Sequence, residues 1–168
     1  LGGLLIKLGQ FFSTRVDILP QDSIRELSGL QDEVEAVPFQ DIRHVAETEF
    51  SRSLEEIYTS VEEMPLASAS LGQVHCAVLR NGEGAAIKIL RPGIEQLVDI
   101  DLKAVRRFID FLRLVTDLER SIDIDAIYLE FSDTLRAELD YIKEGHNAET
   151  IGANFADDPA VIVPKIYW

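Results

Sequence analysis

The sequence contains only one cysteine, Cys76, among its 168 residues. A lone cysteine can form no disulfide within the chain and cannot build a cysteine zinc cluster. The histidines His44, His75 and His146 are far apart in sequence, and none has the histidine partner at i+4 that a zinc-protease helix requires. We therefore expect no disulfide scaffold and no metal site of these kinds, and a reducing compartment fits this composition.

Positive charge is also scarce. The sequence has 16 Lys and Arg but 30 Asp and Glu, so the net charge is −14. Proteins that bind nucleic acids need a basic surface to displace counterions from phosphates, so we expect no nucleic-acid partner. The same acidity opposes binding to anionic lipid by charge alone. A nucleotide pocket is not excluded, because a few local cations and a metal ion suffice for it.

Long apolar runs are absent as well. No stretch approaches the roughly 18 apolar residues of a membrane span. The first residues, LGGLLIKLGQ, lack the basic region and the cleavage site of a signal peptide. The sequence does not begin with methionine, so we expect it to be a piece of a longer protein.

The first fifty residues carry helical patterns. Apolar residues recur with a helical period over residues 1–15, and Lys7 lies at the edge of this stripe. Pro20 and Pro38 each open a further predicted helix, because the fixed φ of proline suits the first helical turn. A lysine in an apolar helix must reach either solvent or an acidic partner from elsewhere in the chain.

The pattern changes between Tyr58 and Pro92, where three short antiparallel strands are predicted. The first covers roughly Ser60–Leu66, the second is QVHCAVLR and the third is AAIKIL. The NGEG stretch at Asn81–Gly84 is a strong hairpin signal between the last two strands. Two long helices, about 93–117 and 125–149, follow, and the final AVIVPKIYW has the pattern of another strand. These elements predict an α+β fold.

Lys88 lies in the middle of the apolar strand AAIKIL. One interpretation is a phosphate-binding lysine on the third strand of a kinase-like lobe, held by a glutamate from a helix. The alternative is a lysine on an edge strand whose charged end reaches water.

The segment PLASASLGQVH, Pro65–His75, joins the first two strands through small residues. Small side chains allow backbone N–H groups to approach an anion closely, as glycine-rich phosphate loops do. The segment has no G-x-G-x-x-G pattern, so a tight hairpin packed under a helix is the competing interpretation.

The segment AELDYIKEGHN contains a third candidate. On a continuous helix, Glu138 lies at the centre of the apolar stripe, whereas Asp140 and Glu144 lie together on another side. A carboxylate on a packing face requires a cation and hydrogen bonds, and Lys7 and Lys88 are the candidate partners. The alternative places Glu138 at the solvated rim of the packing.

The order of these elements is that of a protein-kinase N-lobe, and four motifs resemble the UbiB family of atypical, protein-kinase-like proteins. KLGQFFSTRVDILP resembles its K-x-G-Q motif, PLASASLGQVH its alanine-rich nucleotide loop, AAIKILRPG its third strand and ELDYIKEGHN its E-x-D motif. The resemblance covers nearly the whole chain. It implies a kinase-like N-lobe over residues 57–168, preceded by a helical K-x-G-Q extension over residues 1–56.

The resemblance implies a nucleotide site. Lys88 would bind the α- and β-phosphates and Glu144 would pair with it. The sequence departs from the family at Ser68 and Gly145, where many members carry alanine. The loop residues that would surround the phosphates are Ala67, Ser68, Ala69 and Ser70.

The resemblance also implies a lid over this site. Lys7 and Gln10 would come from the extension that folds over the cleft, and Lys7 would meet the acids Glu138 and Asp140. Such a helix would exclude a peptide but leave room for a nucleotide.

Family resemblance implies an ATP-binding protein that uses ATP with Mg²⁺, has kinase or ATPase activity, and is linked to ubiquinone or isoprenoid-lipid metabolism. It implies a bacterial protein in the cytoplasm or at the cytoplasmic face of the membrane, with an isoprenoid lipid or a membrane surface as a further partner. The sequence does not indicate an oligomeric state.

The sequence holds no H-R-D-like, K-I-D-like or D-F-G-like triplet, so no catalytic residue and no metal ligand is predicted in it. We expect this chain alone to be inactive because it stops before the C-lobe. A non-catalytic module that binds a partner or a lipid is the alternative, and a pseudo-enzyme scaffold is a third.

Overall fold

The computed structural model describes residues 2–13, 22, 34–115 and 123–168. The described helices are α1 (Gly2–Ser13), α2 (Phe39–Phe50), α3 (Leu54–Ile57), α4 (Ile94–Val115), α5 (Ile124–Ala137) and α6 (Tyr141–Asn154). The described strands are β1 (Tyr58–Val61), β2 (Ala67–Ser68), β3 (Gly72–Leu79) and β4 (Gly84–Leu90). The chain divides into two compact units, Leu1–Ile124 and Asp125–Trp168.

The sheet is antiparallel and is built around β3, as the sequence predicts. β4 pairs with β3 along its length, while β1 and β2 pair with the two ends of β3. The predicted hairpin turn is confirmed between β3 and β4, where Gly82 adopts a φ of 88° that favours glycine. The predicted strand Ser60–Leu66 is only partly correct: β1 ends at Val61, and β2 begins at Ala67, after Pro65, which has no N–H with which to continue the ladder.

The core of the first unit lies between α2 and the sheet. Ile87 and Ile89 alternate along β4 toward this side, where α2 presents Ile42 and Ala46 one turn apart. Residues on both sides of position 56 therefore share one core. The domain boundary predicted there stays a prediction.

Several predicted helices are confirmed. α1 matches the helix predicted for residues 1–15, α2 follows Pro38 directly, and α4 matches the helix predicted for 93–117. The helix predicted to open at Pro20 lies outside the described residues, apart from Asp22, which is helical. Among the described residues, no helix is long and apolar enough to cross a membrane.

The single helix predicted for 125–149 is wrong. α5 ends at Ala137, a turn covers Glu138 and Leu139, and α6 begins after Asp140. The carboxylate of Asp140 accepts a hydrogen bond from the Lys143 N–H at 2.9 Å and caps the new helix. The helical wheel that placed Glu138 in an apolar stripe assumed a continuous helix, and the side chain is exposed in the turn instead.

The strand predicted for AVIVPKIYW is also wrong. Residues 161–168 form no helix or strand. A strand requires a neighbour for its backbone hydrogen bonds, and Pro164 removes one donor from the segment. The segment packs beside α6 instead, where the side chain of Val163 lies against Gly152.

Candidate functional site

Lys88 lies on the face of the sheet opposite the core. Its neighbours Ile87 and Ile89 are buried, whereas Lys88 is exposed, because successive side chains of a strand point to opposite faces. The register pairs Lys88 with Val74 and Val74 with Ala67. These three residues therefore form a row across β4, β3 and β2 on one face, which spans about 10 Å.

A small apolar surface lies beside Lys88 on the same face. Cys76 pairs with Ala86 one step further along the strands, next to the pair of Val74 and Lys88. Because alternate residues share a face, Val74, Cys76, Ala86 and Lys88 lie together. A cation beside small apolar side chains suits a ligand that carries both an anionic group and a flat apolar part.

The small-residue loop turns tightly at the end of this row. Ala67 and Ser68 form β2, and the N–H of Ala69 donates to the carbonyl of Gly72 at 2.9 Å. Ser70 is buried. The loop is thus a tight hairpin, and its position at the end of the row that contains Lys88 also fits the phosphate loop.

Ser68 differs from Ala67 in the face that it occupies. Ser68 pairs with Gln73, so its side chain points away from the Lys88 face. Its hydroxyl accepts a hydrogen bond from the guanidinium of Arg91 at 2.9 Å. The sequence pattern did not single out Arg91, which lies within the AAIKILRPG segment.

Gln73 and His75 form a buried polar pair that sequence reasoning also missed. Both side chains are 0% exposed. The Gln73 carboxamide accepts from the Val37 N–H, donates to the Val37 carbonyl at 3.4 Å, and lies 3.3 Å from His75 Nε2. His75 Nδ1 lies 2.9 Å from the carbonyl of Glu62. With Nδ1 carrying the proton, every hydrogen bond of the pair has one donor and one acceptor.

The second unit holds the predicted acidic residues around Tyr141. Burial, and then the negative charges of Glu144 and Glu138, raise the pKa of Tyr141 to about 12. Glu144 lies in the exposed first turn of α6, where a carboxylate is favoured by the helix dipole. The structure therefore places both glutamates near one phenol that sequence reasoning did not identify.

Gly145 is buried in α6 against the ring of Trp168. A Cβ atom added at Gly145 would lie 2.6 Å from Cη2 of Trp168, which is closer than side chains approach. Trp168 stacks on His146 with ring centroids 4.5 Å apart, and its Nε1 donates to Glu149 at 2.7 Å. This packing explains why glycine, and not alanine, follows Glu144.

The two predicted ion pairs stay predictions. Lys7 and Gln10 are half-buried in α1, next to the buried Gly9, and belong to the first unit with Lys88. Their predicted partners, Glu138, Asp140 and Glu144, belong to the second unit. Within the described residues, no group of three or more His, Cys, Asp and Glu side chains could hold a metal ion.

Comparison with known proteins identifies the family. The model of the ABC1 atypical kinase-like domain matches residues 29–168. The chloroplastic protein ACTIVITY OF BC1 COMPLEX KINASE 8 of Arabidopsis thaliana is 44% identical over the whole chain, which spans 22% of that protein. The probable protein kinase UbiB of Pseudomonas fluorescens is 35% identical over the whole chain, which spans 32% of that protein.

The fold has a solved neighbour as well. The structure of Rv3197 of Mycobacterium tuberculosis in complex with erythromycin matches with a TM-score of 0.63 and 25% identity, over 94% of this chain and 41% of that one. This agreement confirms the predicted α+β, kinase-like fold. The family model covers most of the sequence, and the chain belongs to the ABC1 atypical kinase-like family, together with the UbiB proteins.

Proposed function

We propose that this chain forms the nucleotide-binding part of an ABC1/UbiB-type atypical kinase or ATPase. The observation that carries the proposal is the row of Ala67, Val74 and Lys88 on the open face of the sheet. Lys88 supplies a cation for the phosphates, and the small side chains leave room for a nucleobase beside it.

The groups at this face match the needs of ATP. A lysine ammonium binds phosphate oxygens as a point charge, and closely approaching backbone N–H groups add neutral donors. In the proposal the backbone of residues 67–70 provides these donors, apart from the Ala69 N–H, which donates to Gly72, and Glu144 holds Lys88 in place. Mg²⁺ neutralises phosphate charge when it is bound with ATP, and its ligands belong to the catalytic lobe that longer family members carry.

The proposal extends to a lid. Lys7 and Gln10 of α1 close over the nucleotide, and Lys7 pairs with Glu138 and Asp140. The half-buried positions of Lys7 and Gln10 in an apolar helix support this role, since an acceptor near the lysine lowers the cost of partial burial.

The wider role follows from the family alone. We propose a place in ubiquinone or other isoprenoid-lipid metabolism, with the protein in the cytoplasm or at the cytoplasmic face of a bacterial membrane and an isoprenoid lipid as a further partner. The chain spans about a third of UbiB, so phosphoryl transfer or ATP hydrolysis is proposed for the whole protein.

Calorimetry of ATP·Mg²⁺ binding to the full-length protein tests the nucleotide role. Lys88→Ala removes the phosphate-binding cation, and we expect ATP affinity to fall about tenfold or more, which is the usual loss for a charge-assisted hydrogen bond. Lys103→Ala is the matched control, because Lys103 is an exposed lysine of α4 in the same unit. Equal affinity in the Lys88 variant and the wild type overturns the proposal.

A further inference from the structure

We propose that Arg91 is the positioning residue of the small-residue loop, which it holds in its phosphate-binding shape from the face opposite Lys88. This inference rests on the proposed nucleotide site and adds a residue to it.

Arg91 contacts the loop at several points. Its Nε donates to the carbonyl of Ala69 at 2.8 Å, and one terminal nitrogen donates to the hydroxyl of Ser68 at 2.9 Å. Its backbone N–H donates to the carbonyl of Leu71 at 2.9 Å. Three of the residues that form the loop are thus hydrogen-bonded to one arginine at the end of β4.

The contacts lie on the reverse side of the proposed site. Arg91 directly follows Leu90, the last residue of β4, and its guanidinium donates to the Ser68 hydroxyl, which lies on the face opposite Lys88. Ser68 faces the same way as Arg91, because it pairs with Gln73 and not with Val74. Arg91 therefore acts on the nucleotide through the loop backbone and not by direct contact.

The same guanidinium joins the loop to the segment before α2. Its terminal nitrogen also donates to the carbonyl of Glu35 at 2.9 Å. Residues 34–37 are here called the strap. The Val34 N–H donates to the backbone carbonyl of Ser68 at 3.4 Å, and the backbone of Val37 is hydrogen-bonded to the Gln73 carboxamide. Arg91 thus bridges the strap and the loop.

Arginine is suited to this role in a way that lysine is not. Its planar guanidinium presents several N–H groups in a fixed geometry, so it can hold acceptors on two segments at once. A lysine retains the charge but offers a compact ammonium on a flexible stem. Arg91→Lys therefore removes the bridge while it keeps the net charge of the protein.

A comparison of ATP with adenosine, which has no phosphates, distinguishes a positioning role of Arg91 from general destabilisation of the protein. Arg91 orders the loop that contacts the phosphates, whereas Val74, Cys76 and Ala86 on the other face contact the base. Loss of the bridge should therefore weaken ATP binding and leave adenosine binding unchanged.

The experiment compares the affinities of ATP·Mg²⁺ and of adenosine for the full-length protein and its Arg91→Lys variant. We expect about tenfold weaker ATP binding and unchanged adenosine binding. A tenfold loss of affinity corresponds to the free energy of about one charge-assisted hydrogen bond. Arg80→Lys is the matched control, since Arg80 is exposed at the hairpin end of the sheet. If Arg91→Lys binds ATP as the wild type does, or loses ATP and adenosine equally, the inference is wrong.

Hydrogen exchange gives a second readout that does not depend on nucleotide. Without ligand, amides of residues 67–71 and of the strap should exchange faster in Arg91→Lys and, to a smaller extent, in Ser68→Ala, which removes one acceptor. Unchanged exchange at both segments in both variants overturns the inference. If the wild type binds no ATP while exchange still rises, the nucleotide role fails and the bridge stands.

Discussion

Gln73 shows how a single polar side chain joins two segments of the first unit. Its carboxamide offers one acceptor and two donors, and the backbone of Val37 together with His75 uses all three. The side chain is fully buried, so water cannot replace any lost partner. The hydrogen bonds of Gln73 therefore stabilise the fold as well as fix the strap.

Replacing Gln73 by methionine should destabilise the protein by about 2–4 kcal/mol, because methionine has a similar length but leaves the buried polar groups of Val37 and His75 without partners. Urea unfolding of the full-length protein measures the change in the free energy of unfolding. Gln40→Met, at an exposed position of α2, is the control and should change it little. A loss below about 0.5 kcal/mol at position 73 would show that the buried pair is unimportant.

Gly145 and Gly152 offer a comparison within one helix. Alanine at either position should favour helix formation by up to about 1 kcal/mol. At Gly152 the added Cβ would lie 3.6 Å from Val163, an ordinary contact, whereas at Gly145 it would overlap the ring of Trp168. Only the Gly145 substitution should therefore disturb the packing of the last residues.

Gly145→Ala should displace Trp168 from His146, because the ring cannot occupy the space of the new methyl group. Trp168 is the only tryptophan of this sequence, so its fluorescence in the 168-residue chain reports the change. We expect a changed emission intensity in Gly145→Ala, because the ring loses its contact with His146, and an unchanged intensity in Gly152→Ala. Identical spectra for the wild type and both variants would contradict this packing.

Individual side chains were predictable from the sequence where strand alternation governs them. Lys88 was identified because a lysine inside an apolar strand needs an explanation, and the structure places it on the open face. Arg91 was missed because its partners are backbone carbonyls of Ala69 and Glu35, and such contacts leave no pattern in the sequence. Gln73 was missed for the same reason.

At the scale of elements, the junction of α5 and α6 is the main difference from the sequence-based prediction. Apolar spacing over 125–149 fits one helix. However, the Lys143 N–H donates a hydrogen bond to the Asp140 carboxylate, and this short-range bond competes with continuation of the helix. Spacing reports which side of a helix is apolar and does not report where the backbone breaks. The predicted position of Glu138 was wrong for this reason.

Asp140 has a structural role as a helix cap and a proposed role as a partner of Lys7, and two substitutions separate them. Asp140→Ala should cost about 1 kcal/mol of stability, whereas Asp140→Asn should cost only a few tenths, because asparagine caps helices as well as aspartate does. Thermal unfolding of the full-length protein measures this difference. Equal losses in the two variants would show that the cap is not the stabilising contact.

The charge of Asp140 belongs to the lid proposal. Asp140→Asn retains the cap but removes the negative charge, so we expect faster hydrogen exchange across residues 2–13 if Lys7 pairs there. Unchanged exchange in that helix would contradict a contribution of Asp140 to the lid.

For the whole molecule, the order of elements and the family were predictable from the sequence because four motifs occur in the family's order. The antiparallel pairing also followed from local turn signals such as NGEG. The division at residue 124 could not be predicted, since it depends on which residues contact one another in the folded chain and not on local composition. The predicted strand at 161–168 failed because pairing depends on a neighbour that local sequence does not reveal.

Cys76 provides a direct probe of a nucleotide bound on the Lys88 face. Cys76 is half-buried on that face beside Ala86 and is the only cysteine of the sequence. A nucleotide bound there should cover the thiol, whereas a nucleotide bound elsewhere should not.

The measurement is the rate at which iodoacetamide alkylates Cys76 in the full-length protein, followed by mass spectrometry of its peptide. At an ATP·Mg²⁺ concentration ten times its Kd, we expect the rate to fall about tenfold in the wild type, because only the unbound fraction reacts. Lys88→Ala at the same ATP concentration should show at most about twofold protection, because a tenfold weaker affinity leaves about half of the sites empty. An alkylation rate that saturating ATP leaves unchanged in the wild type would show that no nucleotide binds on the Lys88 face.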